Sequence, residues 1–264
     1  MEVHKPKPVH NWREFLRELG TIALGVLIAL TAEQTVEWFH WHGKVAEARI
    51  VIGNELGTAQ ARGIERVRLQ DCIEKRLDAL AAILDQATRT GLLPPVPQFS
   101  GVPFRPFSDD VWQTAVASDT ATHFPAEELN NFGNIYAAIR QLRERNAEEL
   151  VAWADLGAMS GPGRPFDPAT GATLRAALSR ARYYNTSMSL YGGQAARRIG
   201  QLGLRHNAAT QAAIDAAVNT QNTAPACKPL SDQVALGNWF APVFRDWQKY
   251  PPYSAGPPPT KSGE

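Results

Sequence analysis

At 264 residues the chain can bury a core without metals or disulfide staples, and it fits one sizeable domain with attachments or two small ones. A formal net charge of +1, with no Lys/Arg-rich run in the part beyond the N-terminal segment, argues against a nucleic-acid or acidic-substrate role. The hydrophobic content of 44% is ordinary for a globular protein, and no internal repeat is visible.

The N-terminal segment is the most informative. From Leu19 to Ala32 there is no charged residue. That run alone covers about 20 Å as a helix, short of the roughly 30 Å hydrocarbon core of a bilayer. Phe15 and Leu16 extend it upstream, and Val36, Trp38 and Phe39 extend it downstream. Arg17 and Glu18 then lie near one interface, and Glu33 and Glu37 near the other. Trp12 on one side and Trp38 and Trp41 on the other suit the two aromatic belts. The pattern predicts an anchor helix that stays attached. A cleaved signal peptide is the first alternative, but cutting after Ala32 puts Leu30 at the minus-three position, and the helical pattern continues from Glu33 to Leu56 without a break. A buried core helix of a soluble protein is the second alternative.

Lys5, Lys7, Arg13 and Arg17 precede the span, whereas Lys44 and Arg49 follow it among Glu33, Glu37, Glu47 and Glu55. The positive-inside rule puts the N-terminus in the cytoplasm and the bulk of the chain across the membrane. Thr21, Gly25 and Ala29 recur every four residues as a small-residue stripe, the kind through which membrane helices pair. It admits a homodimer; ordinary membrane composition explains it equally well.

Residues 11–38, NWREFLRELGTIALGVLIALTAEQTVEW, resemble the opening of a large group of uncharacterised bacterial single-span membrane proteins. Those proteins begin with a charged lead-in, a Gly…Val-Leu-Ile-Ala-Leu core and a Trp exit. A weaker echo runs from Asp110 to Tyr136, with Trp112, Glu127–Leu129 and Tyr136. Where the group often carries Asn near the exit, this chain has Gln34. The resemblance implies a single-span, helical, envelope-facing protein of a bacterial inner membrane, its larger part in the periplasm, and no particular activity.

From Lys44 to about Thr90 the pattern is helical, with Ile52, Leu56, Ala59, Gly63, Val67, Ile73, Leu77, Leu80 and Leu84 at three- and four-residue steps. Gly53, Gly57 and Gly63 predict either a bend or a tightly packed neighbour. Gly91 ends this helix, and the proline-rich stretch to Phe107 predicts extended chain. Ser108 is the expected cap of a short helix carrying Asp109, Asp110, Val111, Trp112 and Val116. The next helix is expected from Pro125 to about Met159, with Glu127 and Glu128 in its first turn and a stripe of Leu129, Phe132, Tyr136, Ile139, Leu142, Leu150 and Trp153. Asp167 and Pro168 read as an N-cap and first-position pair. The helix they start carries Leu174, Leu178, Tyr184, Met188 and Tyr191, has a kink expected at Gly192-Gly193, and runs toward Leu204. A further helix spans Ala208 to about Asn219. A Ser231-capped segment with Trp239, Phe240, Phe244 and Trp247 follows. The reading is all-α: a cytoplasmic tip and anchor at 1–42, a helical bundle at 43–250, and a disordered Pro/Gly-rich tail at 251–264.

Cys72 and Cys227 are the two cysteines. In an oxidising periplasm a bridge between them is chemically reasonable, contributing roughly 4 kcal/mol on a loop-entropy account; two unrelated buried thiols are the alternative. His40 and His42 sit two apart, about 200° around a helix, so they cannot share a ligand. His123 and His206 read as isolated, in solvated or capping roles. Adjacent acidic pairs such as Asp109/Asp110 and Glu148/Glu149 do not face each other on a helix. There is no P-loop, dinucleotide fingerprint, HExxH or GxSxG, and no metal, cofactor or catalytic residue is expected. Trp112, Tyr136, Trp153, Tyr183, Tyr184 and Tyr191 sit at core spacing, with a pocket between helices as the alternative. The functional expectation is a non-enzymatic, membrane-anchored interaction or scaffold protein with the lipid bilayer and an envelope protein as partners. The second reading is a sensory or small-molecule-binding bundle.

Overall fold

Helix-forming residues run almost without interruption from Trp12 to Thr90, with no proline in between, and the chain there forms a single helix, α1 (Trp12–Thr90). The computed structural model describes residues 12–230. After α1 come β1 (Leu92–Leu93), α2 (Asp110–Ala117), a 3-10 turn (Thr120–His123), α3 (Ala126–Gly157), β2 (Arg164–Pro165), α4 (Pro168–Gln201), α5 (Ala208–Val218) and 3-10 turns at Thr220–Asn222 and Pro225–Cys227. The fold is all-α, as the periodicity predicts. The expected Ser231-capped segment with its four aromatic residues, and the tail at 251–264, lie outside the described residues.

By its contacts the described chain divides into two units: residues 12–52 with 110–131, and residues 53–109 with 132–230. This partition cuts α1 after Ile52, beyond the expected end of the anchor at residue 42.

In the first unit, α1 contains an 18-residue window of mean hydropathy 1.7, and none of that window is buried. Leu19, Ile22, Leu24, Val26, Leu27, Ile28 and Leu30 are all exposed. A helix apolar on every face and covered by no described residue lacks the polar face of a surface helix. The hydroxyls in this stretch are satisfied internally. Thr21 donates to the carbonyl of Arg17 (2.9 Å), Thr31 to Leu27 (2.7 Å) and Thr35 to Thr31 (2.7 Å). Internal satisfaction of polar groups is what a hydrocarbon environment requires.

In the second unit, α1 is the axis. Ile73, Leu77, Leu80 and Leu84 form the stripe that periodicity predicts and Leu69 joins them, packed with Ala152, Trp153 and Leu156 of α3 and Leu174, Ala177, Leu178 and Ala181 of α4. Val67 leaves that stripe and is exposed. The chain directions follow from the contacts. Arg182 meets Glu74 and Asp78, and Arg175 meets Asp85, so α4 runs antiparallel to α1. Tyr136 meets Glu55 and Arg66 meets Glu149, so α3 runs parallel to it. The segment after α1 returns as expected extended chain, and Leu92 and Leu93 pair antiparallel with Pro165 and Arg164.

The glycines of α1 are close-approach sites, and α1 stays helical through them. A Cβ at Gly53 would stand 2.6 Å from the carbonyl oxygen of Arg205, and one at Gly57 would stand 2.5 Å from Thr210 Cγ2. At Gly63 it would collide with the backbone of Gly192. Gly192 and Gly193, the expected site of a kink, lie within continuous helix and are close-approach sites as well, facing Gly63 and Val67. These residues let α4 press its backbone against α1, and α4 continues as helix to Gln201, ending before Leu204.

The caps are partly as expected. Asp167 accepts from the backbone N–H groups of Ala169 and Thr170 (both 2.9 Å), and the Thr170 hydroxyl, followed by these backbone donors, holds its carboxyl below the usual range. Asp109 departs from expectation. It lies just before α2, buried, with Arg143 at 2.6 Å and Arg140 at 3.6 Å. The aromatic set divides as well. Trp112, Tyr136 and Trp153 are buried, whereas Tyr183 and Tyr191 are exposed and belong to no core.

Candidate functional site

The first unit carries a cavity of about 410 Å³ lined by Gln34, Glu37, Trp38, Trp41, His42, Val45, Arg49, His123 and Pro125. Seven of these lie on one face of α1, at three- and four-residue steps from Gln34 to Arg49. The other two come from the 3-10 turn and the residue before α3. Asp119 starts that turn at φ 58°, in the left-handed region that Asp tolerates better than most residues.

Two contacts fix the turn. Arg49 donates from Nε and Nη2 to the two carboxylate oxygens of Glu128, at 2.9 and 3.0 Å, and its guanidinium lies 5.6 Å from the Phe124 ring centroid. His123 stacks on Trp41, with centroids 3.8 Å apart and planes 14° from parallel. One helical turn away, His42 donates from Nδ1 to the Trp38 carbonyl (2.9 Å) and lies over the Trp38 ring (centroids 3.7 Å apart). Trp41 Nε1 points to Glu37 at 3.4 Å. His40 points elsewhere, as the two-residue spacing requires, and meets Trp41 edge-on. His123 is therefore not isolated. Its partner Trp41 lies far away in sequence, and no local pattern announces the pair.

The second unit holds two further polar features. The Cys72 and Cys227 sulfurs are bonded, with Cα atoms 4.7 Å apart. One turn along α1, buried Arg76 donates to the carbonyls of Ser100 (3.1 Å), Pro225 (3.2 Å), Ala226 (3.5 Å) and Lys228. Burial lowers the pKa of this guanidinium. Disulfide and guanidinium together fasten the final described turn to α1. His206, also read as isolated, donates from Nδ1 to the carbonyl of Gly53 (2.9 Å), and Asn54 accepts from the backbone N–H of Asn207 (2.8 Å).

The other feature is a buried polar layer. Arg66 donates from Nη2 to Glu149 Oε1 at 2.8 Å, and both side chains are almost fully buried, 3% and 0% exposed. Arg66 Nε and Nη1, Glu149 Oε2 and Asn185 Oδ1 have no hydrogen-bond partner among the described residues. Burial raises the Glu149 pKa, opposed by the neighbouring Arg66. About three turns earlier on α1, Glu55 accepts from Tyr136 at 2.7 Å and, at its other carboxylate oxygen, from Ser108 at 2.9 Å. Burial, then the Glu55 hydrogen bond and charge, pushes the Tyr136 phenol upward.

Thr21, Gly25 and Ala29 lie exposed on α1, and no described residue comes within 4 Å of a Cβ placed at Gly25. Among the described residues no group of three or more His, Cys, Asp or Glu is arranged to hold a metal ion. No protein-family model, curated protein or solved structure matches this chain.

Proposed function

We propose that this chain is a single-span, envelope-facing interaction protein of the bacterial inner membrane: α1 anchors it, and the disulfide-fastened helical unit binds a protein partner without catalysing a reaction. The observation that carries the reading is the exposed apolar run of α1, bare on every face between Leu19 and Leu30. The Lys/Arg asymmetry supports a cytoplasmic N-terminus. The bonded pair Cys72–Cys227 supports an oxidising compartment for the second unit. The resemblance of residues 11–38 points the same way. The open stripe of Thr21, Gly25 and Ala29 offers a route to a homodimer.

The test is fractionation followed by capture. The full chain should resist extraction by alkaline carbonate, and crosslinking in intact membranes should yield a defined envelope partner or a dimer. Release by carbonate would overturn the anchor. A crosslinked dimer that persists in Gly25→Ile would remove the stripe from the account.

A further inference from the structure

The cavity beside Trp41 lies at a depth fixed by counting. A hydrocarbon core of roughly 30 Å takes about 20 helical residues. Counted from Phe15, the first of the flanking apolar residues, it ends near Gln34. The cavity lining begins at Gln34 and continues to Arg49. On the anchor reading, this cavity therefore opens where the phospholipid headgroups are.

Its chemistry is specific. Arg49 is neutralised by its fork with Glu128. The fixed charge left on the lining is the Glu37 carboxylate, whose Oε2 has no described hydrogen-bond partner. Beside it stand the indoles of Trp38 and Trp41, each covered by an imidazole on one face, and an indole face attracts cations. Gln34 and His123 supply an amide and an imidazole able to donate to phosphate oxygens, whereas the Nδ1–H of His42 is held by the Trp38 carbonyl. An anionic headgroup without an ammonium would meet Glu37 unfavourably. A headgroup carrying both an ammonium and a phosphate satisfies both sides. The volume of about 410 Å³ is at the lower end of small-ligand pockets, sized for a headgroup rather than a whole lipid.

We infer that this cavity binds the headgroup of an ammonium-bearing phospholipid, with Glu37 and the indoles of Trp38 and Trp41 receiving the ammonium and Gln34 and His123 receiving the phosphate. This inference rests on the anchor reading. His123, held by its stack on Trp41, closes the side of the site away from α1.

The experiment uses the full chain in detergent, with retained lipid counted by native mass spectrometry. The probes are phosphatidylethanolamine and phosphatidylglycerol of identical acyl chains, and soluble glycerophosphoethanolamine as a competitor. Phosphatidylethanolamine should be retained at least about fivefold better than phosphatidylglycerol. Glu37→Gln, a change at an exposed position, should abolish that preference, and an equimolar soluble competitor, lacking the acyl chains that hold a lipid in the micelle, should not displace the lipid. Equal retention, a preference for phosphatidylglycerol, or an unchanged preference in Glu37→Gln would overturn the headgroup assignment. Displacement by the soluble competitor would make the ligand a free phosphoammonium compound and overturn the lipid source. A parallel carbonate extraction separates the failures. A chain that inserts but shows no preference overturns this inference alone, whereas a chain that does not insert overturns the anchor with it.

Discussion

The indole of Trp41 lies flat on the imidazole of His123, with centroids 3.8 Å apart, and so ties α1 just beyond its apolar run to the turn before α3. An aromatic stack of this kind contributes about 0.5–1.5 kcal/mol beyond its buried area. His123→Ala should therefore lower stability in denaturant titration by roughly that amount and increase quenching of Trp41 by acrylamide, judged against the same change made in Trp41→Phe. Equal quenching with and without His123 would show that the stack does not form in solution. Glu128→Gln should cost less, about 0.2–1 kcal/mol, because its pair with Arg49 is more than a third exposed.

The Arg66–Glu149 pair behaves differently because it is buried. Removing one partner leaves the other charged and unpaired, so Arg66→Met should cost about 3–5 kcal/mol. The double change Arg66→Met with Glu149→Leu should recover most of that loss. Linkage gives the sign of the pH effect. The folded-state pKa of Glu149 is raised above its ordinary value of 4.5, so its contribution favours folding most below that value and declines as pH rises through the raised pKa. Stability measured against pH should fall across that window in the parent and be flatter in Glu149→Gln. Parallel curves would contradict the burial of this carboxyl.

Two glycines in helices should respond oppositely to alanine. Gly63 faces the Gly192 backbone, and a Cβ there would also stand 3.0 Å from the Ala196 Cβ. Gly63→Ala should lose about 1–3 kcal/mol through overpacking, despite the better helix propensity of alanine. Gly133 in α3 has nothing within 4 Å of a Cβ, so Gly133→Ala should gain up to about 1 kcal/mol. Thermal melts of the two variants read both signs directly.

The bond between Cys72 and Cys227 closes a loop with a sequence separation of 155. Cys72→Ser and Cys227→Ser should each lower stability by about 2–5 kcal/mol. The double variant should lose little more, since both changes remove one bond. On a non-reducing gel the parent should run ahead of its reduced form. Three variants with additive losses would show that the thiols act separately.

Much of the fold was legible because it is periodic. The α1 stripe from Ile52 to Leu84, the end at Gly91 and the Asp167-Pro168 start depend on local pattern, and local pattern is what a sequence displays. The site was less legible. Trp41 and His42 were visible as interfacial residues, but their cavity needs His123 and Pro125, brought close by the left-handed turn at Asp119. Arg66, Glu149 and Arg76 look in sequence like solvated charges on helix faces. Only packing reveals that their faces point inward. The glycines of α1 left bend and close neighbour open because the neighbours, Arg205, Thr210 and Gly192, lie more than a hundred residues away.

The central claim is that α1 carries the helical unit across the membrane. The most direct measurement is a paired set of fusions after Glu264, one to alkaline phosphatase and one to a cytoplasm-only fluorescent reporter. The phosphatase fusion should be active, the fluorescent fusion dark, and Cys72 and Cys227 resistant to alkylation in protein taken directly from the envelope. A bright cytoplasmic fusion with both thiols alkylated would contradict the account.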